Sequence, residues 1–248
     1  MGNGITALVT GASGGIGMTI VEAMAREGYD IIGSMRSEKP DVLSKWDEWS
    51  SKYGVSIRPV YFDLADEESV KAAVGTFLKD KEHPIGVLVN NAGVPYGATA
   101  LMTPMKDLRE VMQVNFFGSV FVSQLVAKRM MRNKSGSIVN IASVGGVEAS
   151  PGYLAYGSSK AALIQATKIM AVELAPAGVR VNAVAPGLTE TPMGHFKSEA
   201  EMEKVLARTP MGRMADPKEI AEMVVFLSSD RAKYVTGQVI AVDGGRTM

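Results

Sequence analysis

The chain has 248 residues, with 26 basic and 26 acidic side chains, two histidines and no cysteine. Balanced charge without long blocks of one sign argues against nucleic acid or an anionic membrane as the main partner. Disulfides and thiolate chemistry are excluded, and two histidines cannot build the usual Cys/His zinc site, so we expect no metal. No linker-like tract or repeat interrupts the sequence, which predicts a single domain over residues 1–248.

Apolar segments of strand and helix length alternate along the chain. Strands are predicted at 5–10, 29–33, 55–62, 85–90, 137–142, 179–185 and 239–242, and helices at 16–27, 66–79, 105–132, 156–175 and 217–228. This alternation predicts a single-domain α/β fold, a Rossmann-like doubly wound parallel sheet of about seven strands with helices on both faces. Pro59 lies in the third strand, and proline is tolerated at a sheet edge, where a 3-2-1-4-5-6 strand order places that strand.

The first strand and the first helix are joined by a glycine-rich turn, Thr10-Gly11-Ala-Ser-Gly14-Gly15-Ile-Gly17. A pyrophosphate site needs a tight turn, close backbone approach and a small residue where helix packs on strand, which Gly11, Gly15 and Gly17 can supply. The N-terminus of the helix adds amide donors and a positive dipole. An ordinary glycine-rich turn is the alternative, but the position after the first strand favours nucleotide binding. The spacing is wider than in the common Gly-x-Gly-x2-Gly pattern.

With that wider spacing, the sequence resembles the short-chain dehydrogenase/reductase family over essentially its whole length. The resemblance rests on the glycine turn and on Asp63-Leu64, Asn90-Asn-Ala-Gly93, Tyr156-x3-Lys160, Pro186-Gly187 and Asp243-Gly-Gly245. It implies a nicotinamide dinucleotide whose adenine meets Asp63. The cofactor-binding residues that we predict are Gly11, Ser13, Gly15, Ile16, Gly17, Arg36, Asp63, Leu64, Asn91, Ala92, Gly93, Tyr156, Lys160, Pro186, Gly187, Thr189 and Thr191.

The end of the second strand bears on the choice between NAD(H) and NADP(H). Enzymes that use NAD place a carboxylate there for the ribose 2′-hydroxyl, but this sequence has Met35, followed by Arg36 and Ser37. Without that carboxylate a 2′-phosphate is not repelled, and a guanidinium can hold a phosphate through two hydrogen bonds. We therefore expect NADP(H). The alternatives are NAD(H) and an Arg36 that is merely a solvated surface residue.

Four side chains form the predicted catalytic group. Tyr156 and Lys160 share a face of one helix, Ser143 follows the fifth strand, and Asn115 is polar within an apolar stretch of the long helix. In the family these positions form a tetrad, which implies that Tyr156 donates the proton when a ketone is reduced by hydride. Ser143 would then bind the ketone oxygen, and Asn115 would hold a water in a proton relay. A Lys160 ammonium about 4 Å away would lower the tyrosine pKa from about 10 by up to about three units.

Taken singly, these residues have ordinary explanations: a core aromatic, a surface lysine, a capping serine and a helix-kinking asparagine. All four beside a cofactor turn favour an NADPH-dependent carbonyl reductase or alcohol dehydrogenase. An NADP-binding sensor would need the turn but not the tetrad. A Rossmann-type methyltransferase would usually have a carboxylate where Met35 stands.

The substrate is less well defined by the sequence. Family resemblance makes 188–213 a mobile lid, with Thr189 or Thr191 against the nicotinamide amide. Segments 181–187, 209–213 and 235–237 resemble the 3-oxoacyl-acyl-carrier-protein reductase subfamily, which favours a 3-oxoacyl thioester. The basic residues that could meet an acidic carrier close the long helix at Lys128, Arg129, Arg132 and Lys134, whereas 174–178 has none. Small ketones, sugars or polyols and steroid alcohols stay open as alternatives.

Assembly and location are also expectations from the sequence. The family resemblance implies a homotetramer formed partly by the helices at 105–132 and 156–175, although these helices could simply cover the sheet. No signal-peptide pattern or membrane span precedes the first strand, so we expect a cytoplasmic protein with no membrane partner.

Overall fold

Seven parallel strands form one sheet in the computed structural model, which describes residues 4–80, 83–194 and 199–248. The strands are β1 (Thr6–Val9), β2 (Asp30–Met35), β3 (Ile57–Tyr61), β4 (Ile85–Asn90), β5 (Gly136–Ile141), β6 (Val179–Pro186) and β7 (Val239–Val242). Their order is β3-β2-β1-β4-β5-β6-β7, so the predicted doubly wound sheet and its 3-2-1-4-5-6 order are confirmed. Pro59 lies in the edge strand β3 opposite Gly33, as expected for a residue without an amide donor.

Eight α-helices connect the strands within the described residues. They are α1 (Gly15–Arg26), α2 (Pro40–Tyr53), α3 (Glu67–Leu78), α4 (Met105–Met112), α5 (Ser119–Asn133), α6 (Leu154–Leu174), α7 (Glu199–Ala207) and α8 (Pro217–Ser228). The five predicted helical regions are present, with ends that differ by a few residues. The predicted helix at 105–132 is interrupted, because Gln113–Gly118 forms a π-helical turn between α4 and α5. Such turns often occur at functional sites.

Two helices were not predicted. Helix α2 begins at Pro40 and buries Val42, Trp46 and Trp49, which are spaced as one face of a helix. Helix α7 lies inside the predicted lid, of which residues 195–198 fall outside the described residues.

Apolar side chains cover both faces of the sheet. One core cluster joins β1 to α1 and α8 through Ile20, Met24 and Val224, and the other joins the sheet to α3 and α5 through Val74 and Val126. Strands buried on both faces read as continuous apolar runs, which is why these segments were recognisable in the sequence. Among the residues that the structure describes, none of the helices combines the length and the hydropathy that a membrane span requires.

Candidate active site

A cleft of about 1070 Å³ lies at the carboxyl ends of the strands. This volume is at the upper end of the range for small-molecule sites, as a dinucleotide together with a substrate would require. Every predicted cofactor residue except Gly17 lines the cleft, as does Ser143. The lining residues from the prediction are Gly11, Ser13, Gly15, Ile16, Arg36, Asp63, Leu64, Asn91, Ala92, Gly93, Tyr156, Lys160, Pro186, Gly187, Thr189 and Thr191.

The glycine turn is fixed by the segment that follows β4. The Asn91 side-chain amide donates to the carbonyl oxygens of Thr10 and Gly11, each at 3.0 Å. Gly11 has a φ of +63°, and a β-carbon there would lie 2.8 Å from the α-carbon of Ala92. Gly17 does not face the cleft; a β-carbon at this position would collide with the carbonyl oxygen of Gly11. The first and third glycines therefore let the turn, α1 and the β4 end pack at backbone distance.

The opposite wall of this end of the cleft comes from the segment after β6. Thr189 and Thr191 are buried, and the Thr191 methyl group lies 3.5 Å from where a Gly15 β-carbon would stand. The Thr191 hydroxyl accepts a hydrogen bond from the Gly194 amide at 3.0 Å. Thr191 therefore stands close to the N-terminus of α1, whose amide groups and dipole suit an anionic phosphate group.

Positive charge collects where β2 ends. Arg36 lines the cleft, and Lys39 also lines it, with its ammonium 3.2 Å from the Ser13 hydroxyl of the glycine turn. Lys39 was not predicted, because its proximity to a residue 26 positions earlier depends on the tertiary fold. Asp63 and Leu64 lie on the other side of this end, and an Asp63 carboxylate oxygen accepts from the Ala65 amide at 2.9 Å.

Tyr156, Lys160 and Ser143 meet at the other end of the cleft. The Tyr156 and Lys160 side chains project from the first turns of α6, with the Lys160 nitrogen 5.9 Å from the centre of the Tyr156 ring. That nitrogen is buried and donates to the carbonyl oxygen of Ile141 at 2.8 Å. Ser143 begins the segment after β5, and its hydroxyl accepts from the Gly145 amide at 3.1 Å. Three of the four predicted catalytic side chains therefore share one surface.

The electrostatics of this group differ from the prediction. Burial raises the pKa of Tyr156 to about 12, and hydrogen bonding to Ser143 only partly opposes this. Burial also lowers the pKa of Lys160 to about 8. The expected lowering of the tyrosine pKa by Lys160 is not seen in the protein alone, where burial of the phenol is the largest influence.

Asn115 lies behind the site, in the π-helical turn. Its side-chain oxygen accepts from the Val94 amide at 2.8 Å, and its nitrogen donates to the Val94 carbonyl at 3.0 Å and to the Ser159 hydroxyl at 3.1 Å. The Ser159 hydroxyl in turn donates to the Tyr156 carbonyl at 2.7 Å. Because protein groups occupy both polar atoms of the amide, the side chain connects the β4 end to α6 rather than presenting itself to the cleft.

The cleft has further lining residues outside the predicted set of catalytic and cofactor-binding residues. Tyr153 packs edge-to-face on Tyr156, with ring centres 5.7 Å apart, and Tyr96 donates to an Asp107 carboxylate at 2.8 Å. Arg246 also lines the cleft, as does Met193, which lies in the predicted lid.

Comparison with known proteins identifies the family. A family model described as enoyl-(acyl carrier protein) reductase matches residues 11–247. The 3-oxoacyl-[acyl-carrier-protein] reductase of Thermotoga maritima is 41% identical over 243 residues, covering 98% of this chain and 97% of that protein. The chain belongs to the short-chain dehydrogenase/reductase family. Family membership, predicted from the glycine turn and the tetrad, is confirmed, and so is the predicted class of NAD(P)-dependent oxidoreductase acting on CH–OH groups.

Other members of the family differ in the substrates that they are named for. The acetoacetyl-CoA reductase of an Acinetobacter species is 37% identical over 242 residues, covering 98% of this chain and 97% of that protein. A gluconate 5-dehydrogenase from Burkholderia cenocepacia, solved with NADP and tartrate, has a TM-score of 0.92 and 32% identity, covering 100% of this chain and 96% of that one. The shared fold therefore accommodates both acyl thioesters and sugar acids.

Proposed function

We propose that this protein reduces 3-oxoacyl thioesters to 3-hydroxyacyl thioesters with NADPH. The observation that carries the proposal is the convergence of Ser143 and Tyr156 on one end of a cleft whose other end carries Arg36 and Lys39. Relatives named for 3-oxoacyl-carrier and acetoacetyl-CoA reduction support the substrate class, because they match nearly the whole chain.

The chemistry follows from the protonation states of the two buried groups. A bound nicotinamide cofactor supplies the hydride that the ketone carbon accepts. Tyr156 remains protonated at neutral pH because burial raises its pKa to about 12, so it is ready to donate a proton to the ketone oxygen. The Ser143 hydroxyl holds that oxygen, and the Lys160 ammonium stabilises the phenolate that remains after proton transfer. In the reverse reaction the same phenolate takes the proton from the alcohol.

Asn115 acts in this proposal as a positioning residue. Its amide holds the Val94 backbone and, through Ser159, the Tyr156 carbonyl, so it fixes the first turn of α6 against the cofactor cleft. If the residue also holds a relay water, its backbone carbonyl in the π-helical turn supplies the contact, since the side chain is engaged.

NADP(H) is the proposed cofactor, because Arg36 and Lys39 line the cleft near the end of β2 and Met35 stands where an NAD-dependent enzyme has its carboxylate. Arg36 and Lys39 both line the cleft, and the Ser13 hydroxyl beside Lys39 adds a hydrogen-bond partner. A 2′-phosphate bound there would be neutralised by a guanidinium and an ammonium. The other cofactor contacts that we propose are those of the residues lining the cleft.

The function can be tested by initial rates with purified protein. The substrates are the N-acetylcysteamine thioesters of acetoacetate and crotonate, a cyclic ketone, 5-ketogluconate and a steroid ketone, each with NADPH and with NADH. We expect fastest turnover of the acetoacetyl thioester with NADPH. The crotonyl thioester is included because the family model is described by an enoyl reductase. Preference for another substrate would overturn the thioester assignment, and tight NADPH binding without any turnover would favour a sensor.

Cofactor choice is tested separately with Arg36→Met and Lys39→Met. Each variant should raise the KM for NADPH about tenfold or more while leaving the KM for NADH nearly unchanged, because only NADPH carries the phosphate. Lys45→Met, a surface lysine of α2 that pairs with Glu48, is the matched control. A wild type that prefers NADH would contradict the proposal.

We further propose a cytoplasmic homotetramer. Support comes from large apolar side chains that α6 and the π-helical turn expose: Phe117 is 50% exposed, Ile169 48% and Val172 77%. Exposed apolar groups on neighbouring helices are typical of subunit interfaces. Light scattering coupled to gel filtration should give four times the chain mass, and Val172→Glu should reduce the assembly.

A further inference from the structure

An ion pair joins Arg246, in the segment after β7, to Glu148, in the segment after β5 that also carries Ser143. Nε and Nη2 of Arg246 donate to the same Glu148 carboxylate oxygen, at 3.0 Å and 2.6 Å. The Arg246 side chain is 9% exposed and that of Glu148 23%. Glu148 follows Ser143 by five residues in the segment after β5, and Arg246 lines the same cleft as Ser143. Because the pair is largely shielded from solvent, water screens its charges less than those of an exposed pair.

The C-terminal segment holds Arg246 in this place. The Asp243 carboxylate accepts from the Gly245 amide at 3.0 Å, and from the Thr247 amide and hydroxyl at 2.9 Å and 2.7 Å. Although burial raises the pKa of Asp243, these hydrogen bonds lower it overall, so the carboxylate stays ionised. The Met211 amide donates to the Gly244 carbonyl at 3.1 Å, which ties this turn to the end of the lid segment.

Arg246 is distinct from the other charged residues that line the cleft. Arg36, Lys39 and Asp63 lie at the adenosine end, and Lys160 belongs to the catalytic group. Arg246 lines the same cleft, two residues after Gly244, whose turn contacts Thr209 and Met211 of the predicted lid. Within the described residues, the Nη1 nitrogen of Arg246 makes no hydrogen bond, and it is not sealed from solvent. The N–H groups of Nη1 are therefore available to donate to a molecule in the cleft.

We propose that Arg246 is a specificity-determining residue whose Nη1 donates to the carbonyl oxygen of the thioester, the second oxygen of a 3-oxoacyl substrate. This inference rests on the proposed function. Glu148 holds the guanidinium and cancels its charge, so the site favours a neutral acceptor. The carboxylate of a free 3-oxo acid would approach the negative charge of Glu148 as well as the positive charge of Arg246. Its desolvation would therefore not be compensated by a net attraction.

Arg208 does not change the near-neutral charge of the Glu148–Arg246 pair. Its guanidinium lies 3.9 Å from the other Glu148 oxygen, but its side chain is 70% exposed. Exposed pairs of this kind contribute little because solvent screens them. Arg208 therefore provides a control that removes a positive charge beside Glu148 from outside the cleft.

The test compares acetoacetyl-N-acetylcysteamine with free acetoacetate, using NADPH and the variants Glu148→Gln, Arg246→Met, Arg246→Lys and Arg208→Met. Glu148→Gln uncovers the positive charge, so the ratio of kcat/KM for acetoacetate to that for the thioester should rise about tenfold or more. Arg246→Met should raise the KM for the thioester about tenfold to hundredfold with a smaller change in kcat. Arg246→Lys should recover part of that loss, and Arg208→Met should leave the ratio unchanged.

A purely structural ion pair gives a different result. If Glu148→Gln and Arg246→Met lower kcat/KM for both substrates by the same factor, the assignment of Arg246 to substrate selection is wrong, even though the wild type reduces the thioester. If the wild type reduces neither substrate, the proposed function itself fails. Unchanged NADPH binding and circular dichroism in Glu148→Gln, a substitution of equal size, would show that folding is not responsible.

Discussion

The Lys160 ammonium donates to the Ile141 carbonyl at 2.8 Å and lies 5.9 Å from the centre of the Tyr156 ring. Each of the two ionisable groups is desolvated, which favours a protonated phenol and a lysine whose pKa falls to about 8. The protein alone is therefore set for proton donation, the role that ketone reduction demands of the tyrosine. The lysine contributes afterwards, when a negative charge forms on the phenol oxygen.

Replacing Tyr156 with phenylalanine should lower kcat for ketone reduction about 100-fold to 10,000-fold, the usual contribution of a general acid. The dissociation constant for NADPH, measured by its fluorescence, should change little, because the ring is retained. Tyr153→Phe is the matched control, since Tyr153 packs on Tyr156 at 5.7 Å and lines the same cleft. Retention of most activity in Tyr156→Phe would show that another group supplies the proton.

Activity should depend on pH through Lys160. Since burial lowers its pKa to about 8, the ammonium is present below that pH and is lost as pH rises through it. The value of kcat/KM for NADPH reports ionisations of the free enzyme, so it should be level below about pH 7 and fall about tenfold per pH unit well above 8. Tyr156, with a pKa raised to about 12, adds no loss in this range. A profile that stays level to pH 10 would contradict the role of the ammonium.

Much of the fold could be predicted, because strands buried on both faces and helices with one apolar face leave distinct patterns. Helix α2 was missed although Val42, Trp46 and Trp49 have helical spacing, since charged residues surround them. The π-helical turn at Gln113–Gly118 could not be predicted, because it shifts backbone hydrogen bonds without changing the apolar pattern.

In the site, too, features that depend on neighbouring residues could be predicted, and features that depend on distant segments could not. Tyr156 and Lys160 were recognisable because one helix presents both. Arg246 could not be assigned to the site from the sequence, because its partner Glu148 lies 98 positions away. The raised tyrosine pKa also depends on burial by distant segments, whereas the sequence indicated only that an ammonium would be near.

Gly17 should not tolerate alanine. A β-carbon would collide with the Gly11 carbonyl oxygen and lie 2.6 Å from the Asn91 amide nitrogen, and neither group can move without breaking the turn. Overpacking of this kind usually costs about 1–3 kcal/mol, and we expect NADPH affinity to fall as well. Gly75→Ala in α3, where a β-carbon meets nothing within 4 Å, should instead raise stability by about 0.5–1 kcal/mol. Urea unfolding of both variants, with NADPH titration, checks this; equal stabilities would contradict the packing argument.

Lys160→Met should make the protein without cofactor more stable at neutral pH. The folded-state pKa of about 8 lies below the ordinary lysine pKa of 10.5, so holding the ammonium buried costs about 3 kcal/mol at pH below 8. Loss of the hydrogen bond to Ile141 offsets about 1 kcal/mol.

The advantage of the variant should therefore be about 2 kcal/mol at pH 7, or roughly 4–8 °C in melting temperature. It should shrink as pH rises from 8 to 10.5, because the unfolded wild type keeps its proton there while the folded protein has released it. Lys168→Met, at an exposed position of the same helix, is the control and should show no such trend. Calorimetry of both variants and the wild type at pH 7 and pH 10 measures these differences. A stability difference that is independent of pH would mean that burial does not lower the pKa of Lys160.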